Sequence, residues 1–286
     1  MSTTTPSRIG VIGAGTMGNG IAQICAQARL QVRMVDIDGA AVQRGIGTVS
    51  KNLDRLVAKD KLSAADKDAV LGRIAGGTDY AALQDCELVI EAATENLGLK
   101  LKILKQLDEL LGEKVVIATN TSSMSITQLA AVVRNPGRFI GMHFFNPVPV
   151  MGLVELIRGL QTGDAAHASS DAFVRHIGKT PVTVRNSPGF VVNRILCPMI
   201  NEAIFVLQEG LASAEDIDAG MRLGCNHPIG PLALADMIGL DTMLAVMDVF
   251  YEGFNDPKYR PAQLLKEMVA AGRLGRKSGR GFYSYA

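Results

Sequence analysis

Paired cysteines are missing from this sequence. Its four cysteines, Cys25, Cys86, Cys197 and Cys225, are widely separated, and none belongs to a Cys-x-x-Cys pair or has a histidine at metal-ligand spacing. This scatter argues against a disulfide framework and against a zinc site. We expect four buried thiols in a reducing compartment and no bound metal.

An excess of one charge is also missing. The chain has 29 lysines and arginines against 28 aspartates and glutamates, and it contains no long block of either sign. This balance predicts neither nucleic-acid binding nor attraction to an anionic membrane surface. No apolar run reaches the ~18–20 residues that a membrane span needs.

The amino terminus lacks the marks of a targeting segment. Residues 1–8 lead almost directly into a strand pattern, without the apolar region of a signal peptide or an arginine-rich transit helix. We therefore expect a soluble cytoplasmic protein. With 286 residues, 48% of them hydrophobic, the chain has room for one large domain or two ordinary ones and can bury a substantial core.

A glycine-rich turn lies near the start of the chain. A short aliphatic strand pattern runs into Gly13-x-Gly15-x-x-Gly18, and helical spacing follows. In a dinucleotide site the first glycine permits the tight turn, the second admits the pyrophosphate, and the third lets the helix pack on its strand. The phosphates would lie at the helix N-terminus, beside Thr16 and Met17. The alternative is a βαβ unit without a ligand.

Asp36 adds a second part to that pattern. It ends the next strand pattern, 18 positions after Gly18. An aspartate at this place accepts hydrogen bonds from the adenosine ribose hydroxyls and repels a 2′-phosphate. The two features together predict a dinucleotide site that prefers NAD to NADP.

Two later strand patterns end in polar residues. Cys86–Ala93 and Lys114–Ser123 contain continuous apolar runs, as parallel strands covered on both faces do. Doubly wound sheets bind ligands at the carboxyl ends of such strands. We therefore place four side chains on the lip of the cofactor crevice: Glu95, Lys100, Asn120 and Ser122. Any one of them alone could be a helix cap.

Two helical stretches, Ala40–Lys59 and Ser63–Ile74, precede these strands, and Ser63 has the pattern of an N-cap. Basic residues lie largely on one face of the first stretch and just beyond it: Lys51, Arg55, Lys59 and Lys61. A cationic helix face is most often only solvated. Beside a nucleotide fold, it is also a candidate docking surface for a phosphorylated substrate.

A histidine and a glutamate lie on either side of a proline break. His143 ends an apolar run that has the pattern of a buried strand. Pro147 and Pro149 prevent that strand from continuing. Glu155 lies in the strand pattern that follows, so the two side chains can meet across a sheet edge as a general base and the group that orients it. The alternative is a core histidine and a solvated edge glutamate.

The pattern changes near residue 187. After a helix at Ala165–Ile177 and a strand at Thr180–Arg185, helices continue without alternating strands. These helices are Asn193–Glu209, Ser213–Leu223, Leu240–Tyr251 and Pro261–Ala271. We therefore predict an α/β Rossmann-type domain with a doubly wound sheet over residues 1–187, followed by an all-α C-terminal domain over residues 188–286.

The predicted helical domain carries surplus apolar residues. They include Met237, Ile238, Leu240, Met243, Leu244, Val246 and Met247. Surplus apolar surface favours a subunit interface, and we expect a homodimer formed through this domain.

By its motifs the chain resembles the L-3-hydroxyacyl-CoA dehydrogenases, most closely the bacterial 3-hydroxybutyryl-CoA dehydrogenases. The resemblance covers nearly the whole length, and it rests on Gly13–Gly18, Glu91–Asn96, Asn120–Ser123, His143–Met151, Pro188–Arg194 and Gly279–Tyr283. The His-Phe-Phe-Asn-Pro and Pro-Gly-Phe-x-x-Asn-Arg strings are far more specific than the glycine loop. No catalytic motif position departs from the family pattern.

The resemblance implies a catalytic role for four residues. His143 would be the general base, and Glu155 would hold its ring and stabilise the imidazolium. Ser122 and Asn193 would be hydrogen-bonding partners of the substrate oxygen. The implied reaction is the NAD-dependent interconversion of (S)-3-hydroxybutyryl-CoA, a short-chain L-3-hydroxyacyl-CoA, and acetoacetyl-CoA.

The resemblance also implies binding residues. The NAD contacts would include Glu95, Lys100, Ser122, Asn146 and Lys277, in addition to the glycine loop and Asp36. Coenzyme A contacts are expected on the basic helix, where Asn52 and Lys59 are the candidates.

Other functions stay open. The protein could act on another acyl-CoA such as 3-hydroxyadipyl-CoA, on a free sugar acid, or be a non-catalytic NAD-binding protein. The intact set of Ser122, His143, Glu155 and Asn193 argues against the last of these. Histidine at position 143 disfavours the dehydrogenases that use a lysine as base.

Overall fold

A computed structural model describes residues 5–285 of the chain. The chain divides into two compact units, one ending at Asn186 and the other beginning at Ser187. The first combines a sheet with helices, and the second is built from helices. The predicted fold class, a Rossmann-type α/β domain followed by an all-α domain, is confirmed.

The strands of the first unit form one sheet. They are β1 (Arg8–Ile12), β2 (Gln31–Val35), β3 (Ile74–Gly77), β4 (Leu88–Glu91), β5 (Val116–Thr119), β6 (Phe139–Phe144), β7 (Leu153–Arg158) and β8 (Thr180–Arg185). Their spatial order is β3-β2-β1-β4-β5-β6-β7-β8, and every neighbouring pair is parallel except the antiparallel pair β6–β7. The order in which the chain adds strands to the sheet changes side between β1 and β4, since β2 and β3 lie on one side of β1 and β4 and β5 lie on the other. Doubly wound sheets bind ligands at the carboxyl ends of the strands at such a point.

Helices complete this unit. They are α1 (Thr16–Gln27), α2 (Gly39–Val57), α3 (Ala64–Leu71), α4 (Leu97–Leu110), α5 (Ile126–Ala130) and α6 (Asp164–His176). The apolar sides of α1 and α2 share one core with the central strands, in which Ile21 and Val49 are fully buried together with Val11. Burying these aliphatic side chains fixes the start of α1 beside the end of β1.

The edge strand β3 departs from the sequence prediction. The pattern predicts a helix reaching Ile74, but Ile74 begins β3 and is the register partner of Val32. The strand ends in Gly76 and Gly77, which carry no side chain from which a strand period can be read. A Cβ on Gly76 would lie 2.4 Å from the side chain of Val42 on α2, so glycine is required for this packing.

The second unit contains α7 (Val192–Gln208), α8 (Ala214–Gly224), α9 (Pro231–Ile238), α10 (Leu240–Phe254) and α11 (Gln263–Ala270). The sequence prediction omits α9. Three of the surplus apolar residues, Leu240, Met243 and Met247, are fully buried in this unit's own core. These three residues therefore do not supply interface surface, and the expectation is wrong for them. Met237, in contrast, is half exposed.

Two buried aspartates tie the last residues of the second unit to its helices. Asp218 of α8 accepts hydrogen bonds from the backbone N–H of Leu232 (2.8 Å), that of Ala233 (2.9 Å) and the Tyr283 hydroxyl (2.8 Å). Asp236 of α9 accepts from two further backbone N–H groups near the end of the chain and from a second tyrosine hydroxyl. Burial and the bond to Asp218 raise the pKa of Tyr283 well above its usual range, so the hydroxyl keeps its proton at neutral pH.

Helix ends agree with most of the sequence prediction. Ser63 and Ser213 both cap their helices by accepting a backbone N–H bond, from Asp66 and Asp216 respectively. The helix predicted over Ser213–Leu223 continues for one more residue, because Gly224 is the last residue of α8.

Three of the four cysteines are buried as expected, whereas Cys225 is exposed. Burial raises the pKa of the Cys197 thiol to about 12. That thiol is therefore protonated and unreactive near neutral pH. Within residues 5–285, no helix combines the length and apolar character needed to cross a membrane.

Candidate active site

The glycine loop between β1 and α1 has the geometry of a dinucleotide site. Gly13 has φ +95°, and a Cβ there would lie 2.6 Å from the Ala92 carbonyl oxygen. A Cβ on Gly18 would lie 1.8 Å from the Gly13 carbonyl oxygen. A Cβ on Gly15 would meet no heavy atom of the described residues within 4 Å. The outer glycines are thus required by packing, and the middle one leaves room for a phosphate beside the helix N-terminus.

Side chains around this loop fit a bound NAD. Thr16 is exposed and Met17 is partly exposed at the first turn of α1. Asp36 directly follows β2, and its Oδ2 accepts a hydrogen bond from the Ala14 backbone N–H (2.8 Å). Its carboxylate is therefore held beside the loop, where it can accept hydrogen bonds from ribose hydroxyls.

The loops that follow β4 and β5 meet at the carboxyl edge of the sheet. Glu95 accepts a hydrogen bond from the Thr121 hydroxyl (2.8 Å) and another from the Ser122 backbone N–H (3.2 Å). Asn120 accepts one from the Phe144 backbone N–H (2.9 Å). The structure thus brings together Glu95, Asn120 and Ser122, as the sequence predicts.

Lys100 does not lie on this lip, so that placement is wrong. Its side chain is fully buried and ion-paired with the equally buried Glu91. The Thr119 hydroxyl lies 3.2 Å from the Lys100 ammonium and donates to Glu91 (2.7 Å). Lys100 is the fourth residue of α4, and its side chain points into the unit because it lies on the helix face that also buries Ile103, Leu104 and Leu107.

Sequence reasoning missed Glu91 and Thr119 as polar partners of Lys100. Each is the last residue of an otherwise apolar strand, and the two are register partners in β4 and β5. A polar residue at the end of two neighbouring apolar strands was the available signal.

His143 and Glu155 face each other across the antiparallel pair β6–β7. They are register partners, and His143 Nδ1 lies 2.8 Å from Glu155 Oε2. His143 is 6% exposed and Glu155 is 0% exposed. Because a carboxylate only accepts hydrogen bonds, we assign the proton of the neutral ring to Nδ1, which leaves Nε2 as the basic nitrogen. The ring of Phe145 packs 4.4 Å from that of His143, centroid to centroid.

The proline segment after β6 forms a turn, as expected. Asn146 is exposed at its start. The Lys179 ammonium donates to the carbonyl oxygens of Val148 (2.8 Å) and Met151 (2.6 Å), which holds the turn in place. Burial lowers the pKa of Lys179.

The candidate coenzyme A residues lie on and beyond α2. Asn52 is partly buried and donates to Gln23 Oε1 of α1 (3.2 Å). Lys59 is exposed just after the helix, and Lys51 and Arg55 are exposed within it. The basic surface is present as predicted, and its ligand stays a prediction.

Two predicted site residues belong to the second unit. Asn193 is partly buried in the first turn of α7. Lys277 donates to Asp241 Oδ2 (2.6 Å), and this bond lowers the pKa of Asp241. The roles of Asn193 and Lys277 stay predictions.

Comparisons with known proteins cover both units. The family model described as the NAD binding domain of 3-hydroxyacyl-CoA dehydrogenase matches residues 8–187, and the model of its C-terminal domain matches residues 189–285.

Similar proteins match over almost their entire lengths. The chain is 51% identical to a probable 3-hydroxybutyryl-CoA dehydrogenase of Deinococcus radiodurans, over 97% of this chain and 100% of that protein. It is 50% identical to the 3-hydroxybutyryl-CoA dehydrogenase of Bradyrhizobium diazoefficiens, over 97% and 95% of the two chains. The crystal structure of (S)-3-hydroxybutyryl-CoA dehydrogenase from Ralstonia eutropha matches with a TM-score of 0.97 and 67% identity, over 99% and 100% of the chains. The chain therefore belongs to the 3-hydroxyacyl-CoA dehydrogenase family of NAD-dependent oxidoreductases.

Proposed function

We propose that the protein interconverts (S)-3-hydroxybutyryl-CoA and acetoacetyl-CoA with NAD as the hydride carrier. The substrate rests on the names of its relatives, since proteins 50–51% identical along nearly the whole chain are named 3-hydroxybutyryl-CoA dehydrogenases. A solved structure 67% identical carries the (S)-3-hydroxybutyryl-CoA name.

The pairing of His143 with Glu155 is the observation that carries the proposed mechanism. Oxidation of a secondary alcohol requires removal of the hydroxyl proton while hydride leaves the adjacent carbon. An imidazole titrates near neutrality, so Nε2 of His143 can accept that proton and return it in the reducing direction. Glu155, 2.8 Å from Nδ1, fixes the ring orientation and offsets the positive charge that forms on it.

NAD supplies the acceptor of the hydride. Gly13, Gly15 and Gly18 would hold its pyrophosphate at the N-terminus of α1, and Asp36 would bind the adenosine ribose. Four further residues are proposed to contact the cofactor: Glu95, Ser122, Asn146 and Lys277.

The remaining assignments concern the substrate. Ser122 and Asn193 would donate hydrogen bonds to its oxygen, where negative charge develops as the ketone is reduced. The basic residues on and beyond α2, with Asn52 and Lys59 as candidates, would bind the phosphates of coenzyme A. We also propose that the second unit helps to form the substrate cleft and a homodimer interface, and that the protein works in the cytoplasm.

A substrate series tests this function. Purified protein is mixed with NADH and acetoacetyl-CoA, longer 3-ketoacyl-CoA substrates, or 3-ketoadipyl-CoA, and NADH loss is followed by absorbance. We expect the highest kcat/KM with acetoacetyl-CoA. When NADPH replaces NADH in the same assay, we expect a clear preference for NADH. A higher kcat/KM with 3-ketoadipyl-CoA would replace the proposed substrate, and failure of every acyl-CoA would favour a non-catalytic NAD-binding protein.

A further inference from the structure

The loop between β5 and α5 carries Ser122 and is held at both of its ends. At its near end, Glu95 accepts hydrogen bonds from the Thr121 hydroxyl and from the Ser122 backbone N–H. At its far end, Asn186 Oδ1 accepts the backbone N–H of Ile126 (2.7 Å), which is the first residue of α5. The near anchor belongs to the proposed cofactor site. The far anchor is the last residue of the first unit.

We propose that Asn186 is a positioning residue for Ser122. It holds the start of α5, and with it the loop from which Ser122 reaches the substrate oxygen, but it contacts neither the substrate nor the cofactor. The inference rests on the proposed function, in which Ser122 donates a hydrogen bond to that oxygen. Such a donor accelerates a reaction only when it is held at the right distance from the developing charge, so the group that fixes the loop acts on turnover.

The side-chain amide of Asn186 uses both of its polar atoms in this contact. Oδ1 satisfies an N–H group that has no acceptor within α5, because the first residues of a helix have no preceding turn to bond to. Nδ2 donates to the Ser125 hydroxyl oxygen (3.1 Å), which in turn caps α5 by accepting the Gln128 N–H. Two bonds from one planar group fix both the position and the direction of the helix start.

Both sides of this contact are themselves held in place. The Asn186 backbone N–H donates to the Arg158 carbonyl oxygen (2.9 Å), which continues the pairing of β8 with β7 beyond the last residue of the strand. On the other side, Ile126 is fully buried against Gly141 of β6, where a Cβ would lie 2.7 Å from the Ile126 Cδ1 atom. Gly141 precedes His143 by two residues, so the start of α5 lies against the strand that carries the proposed base.

The segment between Ser122 and the anchored residue is short, since Ile126 follows only four positions later. Within the loop, the Thr121 hydroxyl oxygen accepts two further backbone N–H groups, at 3.2 and 3.3 Å. Loss of the Asn186 amide would leave the buried Ile126 N–H without an acceptor, which is strongly unfavourable. The helix start would therefore move towards water or another acceptor, and Ser122 would move with it.

A double-mutant cycle with Asn186→Ala and Ser122→Ala tests the inference. In the wild-type background, we expect Asn186→Ala to lower kcat with acetoacetyl-CoA by ~10-fold or more, because Ser122 is displaced. In the Ser122→Ala background, the same change should lower kcat by less than ~2-fold, because the group that Asn186 positions is already absent. Equal factors in the two backgrounds, including no loss in either, would overturn the inference.

Conservative changes at position 186 sharpen the test. Asn186→Asp keeps an acceptor for the Ile126 N–H and can accept a bond from the Ser125 hydroxyl, so we expect kcat within ~3-fold of wild type. A kcat as low as that of Asn186→Ala would show that the anchoring bond is not what matters. Asn186→Gln moves the amide by one methylene group, and it replaces Asn186→Ala in the cycle if that variant does not fold.

Asn201 of α7 offers a matched control in the second unit. Its Oδ1 accepts the backbone N–H of Ala262, just before α11 (2.9 Å), and its Nδ2 donates to the Arg260 carbonyl oxygen (3.0 Å). Asn201→Ala thus removes the same two kinds of bond at a helix start. It should lower the unfolding temperature while leaving kcat within ~2-fold of wild type. A kcat loss equal to that of Asn186→Ala would show that any loosened helix start impairs turnover, and would overturn the inference.

Hydrogen exchange decides the role of Asn186 independently of activity. Absence of turnover in the wild type with every ketoacyl-CoA would defeat the proposed function instead. Even then, the backbone amides of residues 121–126 should exchange ~10-fold faster or more in Asn186→Ala than in wild type, and at the wild-type rate in Asn201→Ala. Unchanged exchange of this segment in Asn186→Ala would show that Asn186 does not hold the loop.

Discussion

The two units bury acidic side chains with different kinds of partner. In the first unit, Glu155 bonds to His143, and an imidazole is the kind of side chain that can take up and release a proton near neutral pH. In the second unit, Asp218 bonds to two backbone N–H groups and to the Tyr283 hydroxyl, none of which titrates in that range. Both acids are nearly excluded from water, with exposures of 0% and 6%.

This difference in partner separates a chemical role from a structural one. A buried carboxylate opposite a titratable ring can stabilise a proton in transit. The same group opposite fixed donors can only hold the chain in place, and its loss leaves those donors unpaired. Burial alone therefore does not identify a catalytic acid, whereas the chemistry of the partner does.

The largest effect that follows from the comparison is on turnover. His143→Ala removes the proposed base, and we expect kcat to fall by ~10³–10⁴-fold with the Kd for NADH unchanged. Stopped-flow or steady-state NADH oxidation with acetoacetyl-CoA measures the rate, and fluorescence titration measures the Kd. His167→Ala is the control, because that ring bonds to Thr183 at the edge of the sheet. Turnover within ~2-fold of wild type in His143→Ala would remove His143 from the mechanism.

The next effect is on stability. Asp218→Ala leaves the N–H groups of Leu232 and Ala233 and the Tyr283 hydroxyl without their acceptor, and we expect the free energy of unfolding to fall by about 2–3 kcal/mol. Urea denaturation followed by circular dichroism measures it. Glu215→Ala, an exposed change on the same helix, should alter it by less than ~0.5 kcal/mol. Equal losses in the two variants would mean that the buried bonds of Asp218 contribute little.

A smaller effect concerns cofactor choice. Asp36→Ala removes the carboxylate beside the glycine loop, and we expect the preference for NADH over NADPH to fall by about 10-fold. The ratio of kcat/KM for the two cofactors measures it. Asp38→Ala removes a carboxylate two residues away that caps α2, and it should leave the ratio unchanged. If the ratio falls equally in both variants, negative charge near the site repels the 2′-phosphate in general and Asp36 has no specific role.

The smallest effect should not distinguish the two units. Ser63→Ala and Ser213→Ala each remove a hydroxyl that caps a helix, one in each unit. We expect each to lower the free energy of unfolding by about 1 kcal/mol without changing kcat. A loss in kcat for only one of them would connect that helix end to the active site.

Much of this architecture can be read from sequence periodicity. The glycine turn, the apolar strands and the proline break after His143 are local patterns, and their places in the sheet follow from the rules of parallel folds. That His143 and Glu155 can meet is also predictable, because two consecutive strands around a short turn pair with each other. The structure adds the antiparallel direction and the register that makes them partners.

The features that sequence reasoning missed depend on packing between distant segments. Lys100 points inward because it lies on the face of α4 that also buries Ile103, Leu104 and Leu107, but the carboxylate that it meets there belongs to a separate strand. The role of Asp218 depends on α9, a helix of only eight residues that sequence reasoning missed although Pro231 at its first position is a helix-start signal. For Lys100 a signal was available in the polar residues that end the two neighbouring apolar strands, whereas no local pattern pairs Asp218 with the start of α9.

Glu155→Gln gives the most direct test of the distinction between the two kinds of buried acid. The glutamine keeps the size of the side chain and can still accept a bond from His143, but it lacks the charge that stabilises the protonated ring. Both kcat with acetoacetyl-CoA and the unfolding temperature are measured for this variant. We expect kcat to fall by ~100-fold while the unfolding temperature stays within ~2 °C of wild type. An unchanged kcat with a clearly lowered unfolding temperature would contradict the account and place Glu155 with Asp218, as a structural acid.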